Sequence, residues 1–217
     1  MTAAAENFRC FVAVRVGDNI AEGILQTLQE LKTTAEQSRW RVSWTQPESW
    51  HATLKFLGDV ASDRIEELLK ALEPVFLEVP PFRVAAIGLM TLPPASQPRV
   101  VAVALRDEGS LARLAAGVEN ALEPLGFARE SRRFTPHLTL GRVRSTPAVP
   151  RRVPKGSPRE TPPMAYLLDR MREHDFGEDT IDRVELVRSR LSPGGSMYES
   201  LAAFELPKDR PDANGLQ

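Results

Sequence analysis

Hydrophobic and polar residues follow two different periods along this chain, which together predict interleaved strands and helices. Alternating segments rich in β-branched and aromatic residues are typical of strands, whereas apolar residues three and four positions apart are typical of helices. The predicted strands cover residues 8–16, 40–44, 50–57, 82–92, 99–105, 134–143, 181–191 and 197–206. The predicted helices cover residues 20–36, 62–76, 110–125 and 164–174.

The ends of these segments carry residues that begin helices or stop strands. Asp18 or Asn19 is the expected N-cap of the first helix, and Ser62 is that of the second. Gly58 is expected to end the strand at 50–57. Because several strands follow one another through short turns, their order favours an α+β domain with antiparallel sheets over a doubly wound parallel fold. Each half also supplies a helix and a histidine-bearing strand, which is a weak internal repeat.

The length of 217 residues fits one large domain, or two small lobes that share a core. We expect a single bilobal domain over residues 1–206 and a flexible tail at 207–217. Six of the 18 prolines fall within residues 147–163, among Arg, Lys, Ser and Thr. Because this composition continues neither a strand nor a helix, it predicts an exposed loop.

The charged residues almost balance over the whole chain but not locally. There are 28 Lys and Arg against 29 Asp and Glu, a formal net charge of −1. This balance argues against a polycation that coats long nucleic acid by charge alone. Residues 129–152, however, contain seven Arg and one acidic residue, Glu130. This local basic region fits a protein that binds its ligand, such as an RNA end, at a single site.

Targeting signals and cysteine pairs are missing from the sequence pattern. Cys10 is the single cysteine, which excludes an internal disulfide and a cysteine-based zinc site, and it fits a small buried side chain. The first seven residues lack the basic start and apolar core of a signal peptide, and no segment reaches the length of a membrane span. We therefore expect a cytoplasmic protein without a membrane association.

Two of the three histidines share one local motif. His51 and His137 each begin the pattern His-x-Thr-Leu, inside two predicted strands. Since residues i and i+2 of a strand point to the same face, each motif presents an imidazole beside the hydroxyl of Thr53 or Thr139. The residues between them, and the leucines that follow, are expected to pack in the core.

This pair of motifs suits some chemistries better than others. A structural role for each histidine stays open, but zinc needs three or four ligands, and neither motif contains a carboxylate or a cysteine. A serine triad fits poorly because no Gly-x-Ser-x-Gly elbow is present. Two imidazoles in one cleft suit acid–base catalysis of phosphoryl transfer, since one can accept a proton while the other donates one. Threonine hydroxyls can hold the phosphate oxygens.

Four segments of the chain together resemble the 2H phosphoesterase superfamily, and within it the RNA 2′,3′-cyclic phosphodiesterase (2′-5′ RNA ligase-like) branch. They are Arg-Cys-Phe-Val-Ala-Val at 9–14, residues 44–58 ending in His-Ala-Thr-Leu-Lys-Phe-Leu-Gly, Phe-Thr-Pro-His-Leu-Thr-Leu-Gly-Arg at 134–142, and Ser-Arg-Leu-Ser-Pro-Gly-Gly-Ser-Met-Tyr at 189–198. They follow in order over nearly the whole chain. Their joint match is specific, whereas one His-x-Thr alone is a weak signal.

The resemblance implies two pseudo-symmetric lobes, each with an antiparallel sheet and flanking helices, around a central cleft. It implies metal-independent hydrolysis of a terminal RNA 2′,3′-cyclic phosphate, or of a small cyclic nucleotide, to a 2′-phosphate. His51 would donate a proton to the departing 3′ oxygen, and His137 would accept one from water. Thr53 and Thr139 would hold the phosphate. No cofactor, metal or obligate protein partner is implied.

Other residues matched by the resemblance are open to two interpretations. Arg142 matches a family arginine near the substrate, but it also fits a solvated strand end. Phe56 matches an aromatic residue that stacks on a base, but it also fits core packing. Arg133 and Arg144 are weaker candidates for phosphate contacts. His174 lacks a threonine partner and is expected to be a surface residue.

Two other functions stay open at the level of sequence. A non-catalytic module could bind RNA ends in the same cleft, although binding alone does not require two titratable groups. The same cleft could also perform reversible 2′-5′ RNA ligation. Because the sequence contains no nucleotidyl-transferase lysine motif and no P-loop, such ligation would be independent of ATP.

Overall fold

Two antiparallel sheets and four α-helices form the described part of the chain. The computed structural model describes residues 6–93, 97–147, 163–192 and 195–208. Most of the proline-rich loop expected at 147–163 and most of the tail expected at 207–217 lie outside these residues.

The nine strands divide between a first sheet of four and a second sheet of five. The first sheet has the order β3-β1-β8-β9, and the second has the order β2-β6-β5-β4-β7. The strands of the first sheet are β1 (Asn7–Val14), β3 (Ala52–Ala61), β8 (Arg183–Ser192) and β9 (Gly195–Glu205). The strands of the second sheet are β2 (Arg41–Trp44), β4 (Phe82–Leu92), β5 (Val100–Arg106), β6 (His137–Ser145) and β7 (Asp175–Ile181). All pairings are antiparallel, which confirms the predicted α+β class.

The four helices cover the faces of the sheets that turn away from the histidines. They are α1 (Asp18–Gln37), α2 (Ile65–Leu77), α3 (Ser110–Leu122) and α4 (Pro163–Arg170). Helices α1 and α4 pack together on the second sheet, and α2 and α3 pack together on the first. Their buried leucines and isoleucines, spaced three and four residues apart, meet the buried faces of the strands in one core.

The weak internal repeat of the sequence corresponds to a repeated arrangement in space. In the first half, β1 is followed by α1, which packs on the second sheet, and the chain returns as β3 beside β1. In the second half, β5 is followed by α3, which packs on the first sheet, and the chain returns as β6 beside β5. The two halves are therefore pseudo-symmetric, and each returning strand carries one His-x-Thr motif.

The expected helix caps are wrong. Gly17 is the N-cap of α1, and neither Asp18 nor Asn19 caps that end. Instead Asp179, from the neighbouring strand β7, accepts a hydrogen bond from the backbone N–H of Ile20 (3.0 Å). Residues 62–64 form a 3-10 turn before α2, and Ser62 makes no side-chain cap. A cap supplied by a distant strand leaves no local sequence signal.

Some strands and helices also have other bounds than those predicted. Strand β3 continues through Gly58 to Ala61, because Gly58 adopts a positive φ of 71° beside an irregularity in its pairing with β1. Strand β7 was not predicted; it is an edge strand with polar exposed residues, so it lacks the apolar run typical of a central strand. The last predicted helix ends at Arg170, which leaves His174 in the connection to β7.

Two further expectations concern the core and the membrane. Cys10 is buried, as predicted, and burial raises the pKa of its thiol to about 11. Among the described residues, no helix is both long enough and apolar enough to cross a membrane.

Candidate active site

The two motif histidines are held by the same hydrogen bond. Nδ1 of His51 lies 2.7 Å from the carbonyl oxygen of Ser49, and Nδ1 of His137 lies 2.6 Å from that of Thr135. Because a carbonyl oxygen can only accept, each Nδ1 carries the proton and donates it. Each Nε2 is therefore the nitrogen that can gain and lose a proton.

The motifs stand at the start of their strands rather than inside them. His51 directly precedes β3, and His137 is the first residue of β6. The predicted alternation of faces nevertheless holds. The histidines and Thr53 and Thr139 are half-buried, whereas the residues that alternate with them are buried in the core: Ala52, Leu54, Leu138 and Leu140.

A β-bulge follows the threonine in both motifs. In the first sheet Ala13 pairs with Thr53, but Val12 pairs with Lys55, so one residue of β3 is extra. In the second sheet Ala102 pairs with Thr139, and Val101 pairs with Gly141, which places the same irregularity in β6. A bulge reverses the alternation of faces beyond it. The side chains that follow therefore face differently from what simple alternation implies.

The bulges bring Phe56 and Arg142 to the same faces as the threonines. Phe56 pairs with Phe11, and Arg142 pairs with Val100, on the faces that carry the histidine motifs. Both side chains are exposed. The alternative interpretation, that Phe56 packs in the core, is thus wrong. Lys55 instead points to the opposite face, where its ammonium donates to Glu119 of α3 and to the carbonyl of Ala128, each at 2.7 Å.

Aromatic side chains surround the His51 imidazole. Phe11 stacks on it with ring centroids 4.7 Å apart and an angle of 24°, and Tyr198 meets it edge-on at 5.0 Å. Phe56 continues the cluster from Phe11 at 5.9 Å and is 56% exposed. The sequence pattern predicts no role for Phe11 or Tyr198, although both lie in segments that carry the resemblance. Their position on the histidine face follows only from the strand register.

This environment changes the acidity of His51. The pKa of His51 is lowered from 6.5 to about 4, and burial is the main cause. The hydrogen bond to Ser49 and the charge of Glu185 oppose this shift, and the positive charges of Arg15 and Arg142 add to it. In the free protein His51 is therefore a neutral imidazole at neutral pH, with an Nε2 lone pair available.

A second set of contacts fixes the backbone just before His51. Arg15, beyond the end of β1, donates to the carbonyl oxygen of Glu48 at 2.9 Å. Its Nε donates to the carboxylate of Glu185 at 3.0 Å, and that carboxylate is buried on β8. Glu185 pairs with Ala13 on the face that carries Phe11. Two consecutive carbonyls, of Glu48 and Ser49, thus accept hydrogen bonds beside His51.

Arg142 connects the two halves of the site. Strands β3 and β6 contact each other, and the charge of Arg142, on the second sheet, acts on His51, on the first. Arg144 lies next to it and donates to Ser43 at 2.9 Å, while Arg133 is exposed before β6. Of the sequence candidates, the two histidines, the two threonines, Phe56 and Arg142 all lie on the histidine-bearing faces. His174 lies elsewhere, packed edge-on against Phe176.

The described side chains offer no cluster of metal ligands. Within residues 6–93, 97–147, 163–192 and 195–208, no three His, Cys, Asp or Glu side chains are grouped as metal ligands require. The described side chains on the histidine-bearing faces are two imidazoles, two hydroxyls and a guanidinium, groups that can exchange protons and donate hydrogen bonds to an anion.

Comparison with known sequences identifies relatives over nearly the whole chain. A sequence model described as the 2′-5′ RNA ligase superfamily matches residues 16–190. The chain is 34% identical over 197 residues to the RNA 2′,3′-cyclic phosphodiesterase of Archaeoglobus fulgidus, which covers 91% of this chain and 99% of that protein.

Solved structures show the same fold. A protein of Thermus thermophilus is similar with a TM-score of 0.68 and 28% identity, covering 91% of this chain and 97% of that one. E. coli LigT, solved in complex with 3′-AMP, is similar with a TM-score of 0.69 and 21% identity, covering 93% of this chain and 99% of that one.

Proposed function

Because the chain belongs to the 2′-5′ RNA ligase superfamily, we infer that it is an RNA 2′,3′-cyclic phosphodiesterase. It is a phosphoric diester hydrolase that acts on RNA. We propose that the substrate is a terminal 2′,3′-cyclic phosphate, or a small cyclic nucleotide, and that the product is a 2′-phosphate with a free 3′-hydroxyl. The matched tautomers of His51 and His137 are the observation that carries this mechanism.

The reaction requires one proton to leave and one to arrive. A water oxygen attacks phosphorus, and His137 Nε2 accepts the proton that this water loses. The P–O3′ bond breaks, and His51 Nε2 gives its proton to the departing 3′ oxygen. Each histidine ends in the other's initial protonation state, and exchange with solvent restores the pair. Holding both groups at the phosphate supplies the catalysis without a metal ion.

The donor role of His51 requires that the substrate change its protonation. In the free protein the pKa of His51 is lowered to about 4 by burial, so the residue is neutral at neutral pH. The phosphodiester brings one negative charge next to Nε2, which favours the imidazolium and opposes the effects of Arg15 and Arg142. Substrate binding therefore raises the pKa of His51 and delivers the proton to the leaving oxygen.

The neighbouring side chains divide the remaining tasks. Thr53 and Thr139 donate their hydroxyls to the two non-bridging phosphate oxygens. Arg142 supplies positive charge as the phosphorane forms, and Phe56 offers an exposed ring face to the terminal base. The position of all four residues on the histidine-bearing faces, and the exposure of Phe56 and Arg142, support this proposal.

No observation favours the two alternatives raised by the sequence. A binding module needs donors but no titratable pair, and ATP-independent 2′-5′ ligation is the same chemistry in reverse. The cytoplasmic location and the absence of a membrane or obligate protein partner stay predictions.

The decisive experiment measures hydrolysis of 2′,3′-cyclic AMP and of a cyclic-phosphate-ended oligonucleotide in excess EDTA. We expect turnover by the wild-type protein, and a loss of about 10²–10⁴-fold in both His51→Ala and His137→Ala. His174→Ala is the matched control and should retain full activity. Unchanged turnover in either motif variant, or activity abolished by EDTA and restored by a divalent metal, would refute the mechanism.

A further inference from the structure

A concave surface outside the histidine-bearing faces contains a different set of side chains. Its volume is about 490 Å³, and it lies between the C-terminal part of α1 and the edge strand β2. We call it the tryptophan groove. Its lining includes Lys32, Glu36, Trp40, Arg41, Trp44 and Arg144.

The chemistry of the tryptophan groove combines aromatic surface with positive charge. Trp40 and Trp44 are half-buried, so each indole is anchored in the protein but keeps one exposed part. Lys32, Arg41 and Arg144 supply three cations, against a single carboxylate from Glu36. Aromatic platforms bordered by cations are the usual way in which proteins hold single-stranded nucleic acid without reading its sequence.

The groove lies on the α1 side of β2, and the arginines of β6 extend from it around the edge of the sheet to the histidine-bearing face. Ser43 pairs with Arg142 across β2 and β6, and its hydroxyl accepts a hydrogen bond from Arg144 at 2.9 Å. A smaller depression of about 390 Å³ is lined by Arg99, Arg142 and Arg144. Arg144 also borders the tryptophan groove. Cationic side chains thus extend from the residue that acts on His51 to the two tryptophans.

We propose that the tryptophan groove binds the nucleotides on the 5′ side of the terminal cyclic phosphate. Their bases stack on Trp40 and Trp44, and their phosphates pair with Arg41, Arg144 and Lys32. The preferred substrate is then an RNA strand of several nucleotides rather than a cyclic mononucleotide. This inference rests on the proposed function for the site at His51 and His137, but it concerns residues outside that site.

The kinetic test compares substrates of two lengths. Wild-type kcat/KM should be at least tenfold higher for a cyclic-phosphate-ended tetranucleotide than for 2′,3′-cyclic AMP at 0.1 M salt. The variant Lys32→Gln/Arg41→Gln should lose this advantage while keeping its rate on 2′,3′-cyclic AMP within twofold. Its dependence of log kcat/KM on log salt should weaken by about 0.7 for each lost phosphate contact. Trp40→Leu, which retains apolar volume, should also lose the advantage.

The matched control removes two exposed cations elsewhere. Lys70 on α2 and Arg83 on β4 lie outside the groove, and Lys70→Gln/Arg83→Gln changes the net charge equally. This variant should keep the length preference and the salt slope of the wild type. Equal rates on both substrate lengths, or the same loss in the control and groove variants, would overturn the proposal while leaving the cyclic phosphodiesterase intact.

If no hydrolysis is found, a binding measurement tests the tryptophan groove separately from the cyclic phosphodiesterase function. Two of the three tryptophans line the groove, and the third, Trp50, is buried, so a base stacked in the groove should quench the intrinsic fluorescence. The probe is a tetranucleotide that ends in a 2′-phosphate. A dissociation constant from this quenching that rises at least fivefold in Trp40→Leu and in Lys32→Gln/Arg41→Gln supports the groove even when hydrolysis fails. An equal dissociation constant for a mononucleotide, or an unchanged one in both variants, refutes it.

Discussion

Phe56 and Arg142 occupy equivalent positions in the two halves of the protein. Each lies five residues after the histidine of its strand, and each reaches the histidine-bearing face because a β-bulge intervenes after the threonine. The pseudo-symmetry thus extends from the topology to the single extra residue of each strand. What differs is the chemistry: one half places an aromatic ring at this position, and the other places a guanidinium. In the proposed function, the half with Phe56 therefore meets the base and the half with Arg142 meets the phosphate.

The packing of β2 against β6 leaves no room for a side chain at Gly141, next to the bulge. A Cβ there would lie 2.6 Å from Cγ1 of Val42 and 2.9 Å from the Trp44 ring. Gly141→Ala should displace β2 or straighten the bulge, which moves Arg142 from the cleft. We expect a loss of about 1–3 kcal/mol in the free energy of unfolding, typical of overpacking, and at least a tenfold fall in kcat/KM. Denaturant unfolding and hydrolysis assays measure both quantities.

A second substitution provides the control for Gly141→Ala. Val42→Ala removes the methyl group nearest to the new Cβ, so the double variant should recover part of both losses. If the double variant is as impaired as the sum of the two single ones, close packing against Val42 is not the reason for glycine at this position.

The two bulges also mark the limit of what the sequence could predict. The strands, the helices and the histidine–threonine faces follow from periodicity, because buried leucines and alternating residues record which face is covered. The facing of Phe56 could not be derived in this way, since strict alternation from His51 would bring Lys55 to the cleft. The resemblance to known proteins, rather than the periodicity, singled out Phe56 and Arg142. Strand β7 and the cap from Asp179 depend on partners distant in sequence and left no local signal.

Replacing the leaving oxygen by sulfur tests which histidine is the acid. A thiolate departs without protonation, so a substrate with sulfur in place of O3′ needs no general acid. We expect the defect of His51→Ala to shrink by at least tenfold on this analogue, whereas the defect of His137→Ala should persist. Steady-state rates on the oxygen and sulfur substrates provide the comparison. The opposite result, with rescue of His137→Ala alone, would exchange the two roles.

The lowered pKa of His51 also makes a prediction for the stability of the fold. Because the pKa of His51 is about 4 in the folded protein against 6.5 when exposed, the unfolded chain binds more protons between these values. The contribution of neutral His51 is complete above pH 6.5 and is lost as the pH falls to 4, by about 3 kcal/mol. Urea unfolding across this range should show a steeper decline in the wild type than in His51→Ala. His174→Ala, the control, should decline like the wild type.

The anchor formed by Arg15 and Glu185 predicts two shifts of opposite sign in one titration. The positive charge of Arg15 lowers the pKa of His51, and the negative charge of Glu185 raises it. In NMR titrations Arg15→Gln should therefore raise this pKa, and Glu185→Gln should lower it further.

The same two variants also disturb the backbone before His51. Arg15→Gln removes the guanidinium that holds the carbonyl of Glu48, and Glu185→Gln weakens the contact that fixes this guanidinium. We therefore expect both to reduce kcat by about tenfold while changing KM less than twofold, since the histidine is displaced but the phosphate ligands remain. If both variants shifted the pKa in the same direction, the effect would come from a general loosening of the site. Shifts of opposite sign with a common loss of kcat identify Arg15 and Glu185 as positioning residues for His51.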